Sequence, residues 1–397
     1  MTSVLTMRVL IVNKFAHVTG GADRHCLNLA DVLRRRGHEV QFLSTAGEAN
    51  VEESGAFVEA SSTHASRNSI PLRGQPRVAL RALWNREAAV ATRSLLRSFR
   101  PDVVHAHKLY TQLSVAPLVT SAAAGVPIVQ TLHDFELLSA SAVDETGGKL
   151  DRAETKLRYR ALNNATYPIR RLVHVPRVRE FVSVSRFVGD VYAAHGIRAT
   201  VLPNFASVDR PTGEAPSFSE RDGLVYVGRL RPEKGVADVL ALAELLPDVT
   251  ITVAGSGVLE ELVRERALEL PNLRVTGFLG REDVTAVLRT ARIALVPSRW
   301  QEPGALAPLE AMELATPVVA YAVGGIAEYV GDAGAGRVVK PDVRALVEAC
   351  TELYHDERAW EQASGRAVEA IATVHSPARY AKGIEEVYAR AIGAGRR

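Results

Sequence analysis

The stretch GLVYVGRLRPEKG, residues 223–235, reads as a buried strand running into a loop that opens a helix. Its apolar run shows no alternation, the pattern of a parallel strand covered on both faces. Gly228, Pro232 and Gly235 then break the chain. Four more such units follow: VTITVAGSG, LRVTGFLG, RIALVPS and TPVVAYAVGG, with helical segments between them. Toward the N-terminus the same grammar appears in MRVLIVN (7–13), EVQFLS, PDVVHAH, PIVQTLH and FVSVS. Gly37 is placed to stop the first helix, and a long helical stretch is expected near 76–99. Alternation of this kind predicts parallel sheets with helices on both faces. Residues 199–223 are rich in Pro, Ser and Gly, carry no period and read as a linker. The expected fold is α/β: two doubly wound Rossmann-like domains, 1–200 and 201–375, facing a central cleft. An amphipathic C-terminal helix is expected over 376–397.

Length and composition agree with this reading. A chain of 397 residues exceeds one typical core. Its 47% apolar and 23% charged residues are those of an ordinary globular protein, and no apolar run reaches the roughly 18 residues of a membrane span. The opening MTSVLTMRVLIVNKF is too short and too lightly charged for a signal peptide and reads as a first strand. Cys26 and Cys350 stand far apart with no metal-binding spacing, so reduced thiols and a cytoplasmic protein are expected. The net charge of +3 hides an asymmetry: residues 1–205 hold 26 basic against 17 acidic side chains. Such a half suits phosphates or anionic lipid headgroups, hence peripheral contact with the inner membrane face, although solvated arginines on helix faces account for the charge somewhat better on its own. No nucleic-acid partner is indicated.

In open parallel sheets ligands sit beyond the carboxyl ends of the strands, against helix N-termini. After the first strand, HVTGGADRH lacks the GxGxxG dinucleotide fingerprint, yet Gly20 and Gly21 let backbone amides approach an anion. Arg229 and Lys234, five residues apart after the strand at 224–227, suit a diphosphate, or are ordinary loop charges. QEPGALAPLEAM, residues 301–312, follows RIALVPS and sets Glu302 in a loop broken by Pro303 and Gly304. The helix is expected from Ala305, with Glu310 some two turns inside it. Two carboxylates so placed could accept from hydroxyls on two parts of one ligand while cations hold phosphates between them. A nucleotide sugar has that layout.

Gly20-Gly21, DVVHAH, TLHD, VSVSRF, LPNF, VGRLRPEKG, the Glu302/Glu310 pair and TPVVAYAVGGIAEYV, taken in order, resemble family 4 retaining glycosyltransferases of the GT-B fold. The resemblance spans nearly the whole chain. It implies that Arg229 and Lys234 neutralise the donor diphosphate, Glu310 holds the ribose and Glu302 the transferred sugar. It places the backbone of Ala305, Leu306 and Ala307 at the sugar and distal phosphate, and Gly20 and Gly21 at the same diphosphate. It assigns His133 to the sugar near the reacting carbon and the acceptor, the backbone around Phe278 and Leu279 to the base, and the C-terminal helix to the first domain. His105 and His107 in VVHAHK read as structural. Gly304 before Ala305 departs from the family, which has a bulky residue and then glycine there. The segment 134–160 matches no general pattern. The implied reaction transfers a glycosyl group from a nucleotide sugar to an acceptor hydroxyl with retention, by a front-face route. No Asp-x-Asp occurs, so no metal or other cofactor is expected. A sugar phosphorylase or epimerase, and a non-catalytic GT-B subunit, are the competing readings. Glu302 and Lys234 are both expected on exposed loops.

Overall fold

The computed structural model describes residues 6–59, 81–110, 112–138, 166–206 and 214–394. The chain forms two compact units. The first comprises Met1–Val184, Val188–Leu202 and Tyr380–Arg397; the second comprises Ser185–Phe187 and Pro203–Arg379.

The first unit is a seven-stranded sheet: β1 (Arg8–Phe15), β2 (Glu39–Thr45), β3 (Gly55–Val58), β4 (Val103–Ala106), β5 (Ile128–Leu132), β6 (Glu180–Ser183) and β7 (Thr200–Val201). Its order is β3-β2-β1-β4-β5-β6-β7, and every pairing is parallel. Val9 to Val12 and Val103 to Ala106 are buried throughout, as a sheet covered on both faces requires. Helix α1 (Gly21–Arg35) ends where expected. Gly37 adopts φ 88°, its amide bonds the Arg34 carbonyl and that of His38 bonds Leu33, a glycine-terminated helix end. The long helical stretch is interrupted: residues 81–83 are helical, 84–85 are not, and helix α2 (Arg86–Ser98) begins where the Asn85 side chain caps it by accepting from the Ala88 amide at 3.0 Å. Residues 60–80 lie outside the described ones, as does most of the 134–160 segment. Strands β3, β7 and, in the second unit, Gly336–Val339 are not among the expected ones: the first and last are four residues at sheet edges and β7 is only two.

The second unit repeats the topology with β8 (Leu224–Val227), β9 (Ile251–Ala254), β10 (Leu273–Gly277), β11 (Ile293–Val296), β12 (Val318–Tyr321) and β13 (Gly336–Val339), ordered β10-β9-β8-β11-β12-β13 and parallel throughout. Each sheet therefore runs third, second, first, fourth, fifth, sixth strand, the doubly wound order, and the first sheet adds a seventh strand at its end. Strand order reverses between β1 and β4 in one unit and between β8 and β11 in the other. At those two points the loops leave on opposite sides and open a crevice.

The expected linker is only partly a linker. Arg221, near its end, is 1% exposed and lies over the Trp360 ring. It donates to the Leu314 carbonyl and the Thr316 hydroxyl, each at 2.6 Å. Burial lowers its guanidinium to about 10, so it stays charged at neutral pH. At the far end, helix α11 (Pro377–Gly393) belongs to the first unit from Tyr380 onward. Its Glu385 takes both Arg36, at 2.5 and 2.8 Å, and His38 at 3.0 Å. Among the described residues no helix is long and apolar enough to cross a membrane.

Candidate functional site: the switch points of two parallel sheets

In the second unit β8 and β11 are neighbours, so the loops that follow them meet. The Glu233 carbonyl accepts from the amides of Arg299 at 3.0 Å and Trp300 at 3.2 Å, tying the two loops together. Gly235, at φ 74°, ends the first loop against Pro297, where a Cβ would overlap the Pro297 carbonyl. This stitching brings Lys234 to Glu302: the ammonium is ion-paired with Glu302 Oε1. The Ser298 hydroxyl donates to the same oxygen at 2.8 Å. Glu302 is 8% exposed and Lys234 half-buried, which corrects the expectation that both stand on exposed loops. The physical reason is adjacent-strand topology, which folds one loop over the other.

The backbone of Glu302 is gripped from β12 as well. The Gly325 amide donates to the Glu302 carbonyl at 2.7 Å, and the Gly324 amide takes the Gln301 side chain at 2.8 Å. At Gly324, with φ 53°, a Cβ would run into the Glu302 carbonyl oxygen, and at Gly325 one would press on Pro303. These close approaches explain the paired glycines of TPVVAYAVGG. Helix α8 (Ala307–Glu313) starts at Ala307, with Pro308 in its first turn. Glu310 therefore lies in the first turn, half-buried, not two turns inside. Ala305, Leu306 and Ala307 are half-buried and lead into it, Ala305 and Leu306 resting on the core. Arg229 is exposed, its carbonyl held by the Tyr226 hydroxyl at 2.9 Å. Phe278 is 81% exposed and Leu279 half-buried, just past β10 at the sheet edge. The structure thus joins Lys234, Ser298 and Glu302 directly, while Phe278 and Leu279 stand two strands from β8.

In the first unit the loop after β1 is anchored from below. Buried Asn13 donates to Asp23 at 3.0 Å and to the Phe15 carbonyl at 2.8 Å, and accepts from the Lys108 amide at 3.1 Å. Asp23 also accepts from the Thr19 hydroxyl at 2.5 Å. Gly20 and Gly21 follow at the start of α1. Gly20 is fully extended, a conformation open to any residue, and a Cβ there would touch nothing within 4 Å. The protein's own packing does not require that glycine.

His133, half-buried just past β5, is hydrogen-bonded through Nε2 to His107 Nδ1 at 2.9 Å. His105 lies wholly inside, bonded to the Tyr388 hydroxyl at 2.7 Å and to Thr131 at 2.8 Å, a structural role. His25 bonds the Tyr380 hydroxyl at 3.1 Å. Burial holds all four imidazoles below their ordinary value, His25 and His105 to about 3, so they are uncharged at neutral pH. For His133 the neighbouring His25 and Lys108 push the same way, while Asp134 opposes.

Beside them sits a charged group that the motif reading passed over. Lys108 is paired with Asp134 at 2.5 Å. Burial would raise Asp134, but Lys108, the Glu136 amide and Lys14 together outweigh it and hold the carboxyl at about 2. Glu136 goes the other way, pushed up to about 7 by burial and by Asp134. Lys14 is lowered by burial and by Lys108. The available signal was position: each follows or ends a strand at the β1/β4/β5 edge. Ser298 was missed for the same reason, since PS after a strand is unremarkable until Glu302 folds back on it. Among the described residues no group of three or more His, Cys, Asp or Glu is arranged to hold a metal ion, and both cysteines are free and buried.

Residues 19–210 match the family described as Glycosyltransferase Family 4, and residues 213–369 match Glycosyl transferases group 1. The chain is 30% identical over 388 residues to a 2-deoxystreptamine N-acetyl-D-glucosaminyltransferase of Streptomyces fradiae, covering 88% of this chain and 89% of that one. The chain belongs to glycosyltransferase family 4. Its fold is that of the GT-B glycosyltransferases. A sucrose-phosphate synthase from Thermosynechococcus elongatus superposes with TM-score 0.71 at 16% identity, covering 98% of this chain and 100% of that one. The Anabaena HepE protein, solved with UDP and glucose, superposes with TM-score 0.67 at 17% identity, covering 97% and 100%.

Proposed function

We propose that this glycosyltransferase moves a sugar from a nucleoside-diphosphate sugar to a hydroxyl of a small polar acceptor, with retention and without a metal ion. The observation that carries the reading is the Lys234–Glu302–Ser298 cluster at the β8/β11 switch point. It sets an ammonium and a carboxylate side by side, where Glu302 can accept from a sugar hydroxyl. Arg229 on the same loop adds a second cation for the diphosphate. Two cations placed where charge develops on the departing phosphate supply the stabilisation a divalent ion would give. The bond from the anomeric carbon to the phosphate oxygen breaks as the acceptor oxygen closes on the same face, and the leaving phosphate takes the acceptor's proton. His133 contacts the transferred sugar near the reacting carbon. Glu310 binds the ribose hydroxyls, and the open space at Gly20 admits the diphosphate to the backbone amides of Gly20 and Gly21. Phe278, exposed past β10, and Leu279 meet the base. The Streptomyces fradiae relative, matched over 88% of this chain and 89% of its own, supports an acceptor of small-molecule size.

The test is thermal unfolding with UDP, GDP, ADP or dTDP, each with and without EDTA. A nucleotide at 100 times its dissociation constant should add about 2.7 kcal/mol. One nucleotide giving a clear shift names the base and narrows the donor search; turnover of the matching sugar donor, read by NMR for the anomeric configuration, then tests retention. No shift with any nucleotide, or a shift abolished by EDTA, sinks the reading.

A further inference from the structure

His107 does not belong to the expected site, yet it makes the hydrogen bond that His133 receives from the protein among the described residues. The two ring planes lie 24° from parallel with centroids 5.2 Å apart, and 2.9 Å separates His107 Nδ1 from His133 Nε2. Both imidazoles are uncharged, so one proton lies between those nitrogens and one ring must donate it. His107 Nε2 decides which. It is buried with no partner among the described residues. A buried N–H without an acceptor is tolerated less often than an unfilled lone pair. The proton of His107 therefore sits on Nδ1, and His133 Nε2 is the acceptor. A neutral imidazole that accepts at Nε2 carries its own proton on Nδ1.

We propose that His107 is a positioning residue for glycosyl transfer: by donating to His133 Nε2 it holds His133 as the Nδ1–H form, so that His133 offers the sugar an N–H donor and not a base. The rest of the buried assembly locks this arrangement. His107 lies tilted by 33° against His105 with ring centroids 4.3 Å apart, and His105 is itself fixed at both nitrogens by Tyr388 and Thr131. His25 meets His133 edge-on at 5.0 Å and is bonded to Tyr380. Two tyrosines of α11 thus hold both flanks of the histidine pair. An N–H donor stabilises an oxygen without taking a proton, which suits a reaction in which the leaving phosphate accepts it.

The inference rests on the reading that His133 contacts the reacting sugar, and its test separates the two. Histidine-selective 15N NMR of the full chain at neutral pH should show His133 protonated at Nδ1 and bare at Nε2. In His107→Leu the His133 signals should become those of mixed tautomers. Its kcat should fall on the order of 10- to 100-fold with donor KM unchanged. His107→Asn, whose amide nitrogen replaces Nδ1, should recover to within about threefold of the native rate. A His133 protonated at Nε2 overturns the proposal, as does a folded His107→Asn that is as slow as His107→Leu. Full activity in His133→Ala would instead remove His133 from the reaction, whatever the NMR shows.

Discussion

Glu302 illustrates how a single side chain carries both stability and chemistry. Its Oε1 holds the Lys234 ammonium and the Ser298 hydroxyl while the residue is 8% exposed. Removing it leaves a half-buried ammonium without its counter-charge. Glu302→Ala should therefore cost about 1–3 kcal/mol of stability as well as nearly all transfer, measured by urea unfolding and by donor turnover. Glu302→Gln keeps the acceptor for Ser298 and Lys234 and should stay closer to native stability while remaining nearly inactive. Equal activity in Gln and wild type would show that the carboxylate charge is not used. The same residue shows what a motif conveys: Glu302 stood out through its setting after a strand and before a helix, whereas Ser298 became visible only when its hydroxyl met the carboxylate.

Among the elements, α11 does most to organise the first unit's interior. Tyr380, Ile384, Val387, Tyr388 and Ala391 are all buried, a stripe at helical spacing that the amphipathic pattern announced. What the pattern withheld is the destination of its two hydroxyls, Tyr388 on His105 and Tyr380 on His25. Tyr388→Phe leaves His105 Nδ1 buried without a partner and should lower stability by about 1 kcal/mol. The measurement is the urea midpoint, and an unchanged value would mean that the hydroxyl is not needed to satisfy the imidazole. The short strands β3 and β7 were missed because four and two residues carry no readable period, and their strand character comes from the neighbour they pair with. Helix α8 starts two residues later than the expected Ala305. Nothing in Ala-Leu-Ala-Pro marks the first helical turn except the proline, which favours the position it occupies.

At the scale of the molecule, the interior of the first unit makes stability depend on pH. His25, His105 and His174 have folded values near 3, and His107 and His133 are also lowered, against an unfolded value of 6.5. Between those values the unfolded chain binds more protons, so stability falls as the pH drops below 6.5. Glu136, raised to about 7 from 4.5, opposes this, since it keeps its proton when folded and favours the folded state as the pH falls through that window. Five imidazoles against one carboxyl leave the histidines in control. The urea midpoint at about pH 5 should lie clearly below that at about pH 7.5, and equal midpoints would mean that water reaches these rings.

The sequence by itself determined the architecture. Unalternating apolar runs separated by helical segments allow only parallel sheets buried on both faces, and each loop after a strand named its candidate residues. The order of strands within each sheet was not legible, because burial constrains a strand's faces and not its neighbours. That order decided the rest. With β8 beside β11 and β12 beyond it, Lys234, Glu302 and Gly324 from distant parts of the chain come into contact. With β4 and β5 adjacent, His107 reaches His133, and Lys108 reaches Asp134. Hydrogen bonds and ion pairs act over about 3 Å, so partners far apart in the sequence are fixed only when the tertiary fold brings them within that distance.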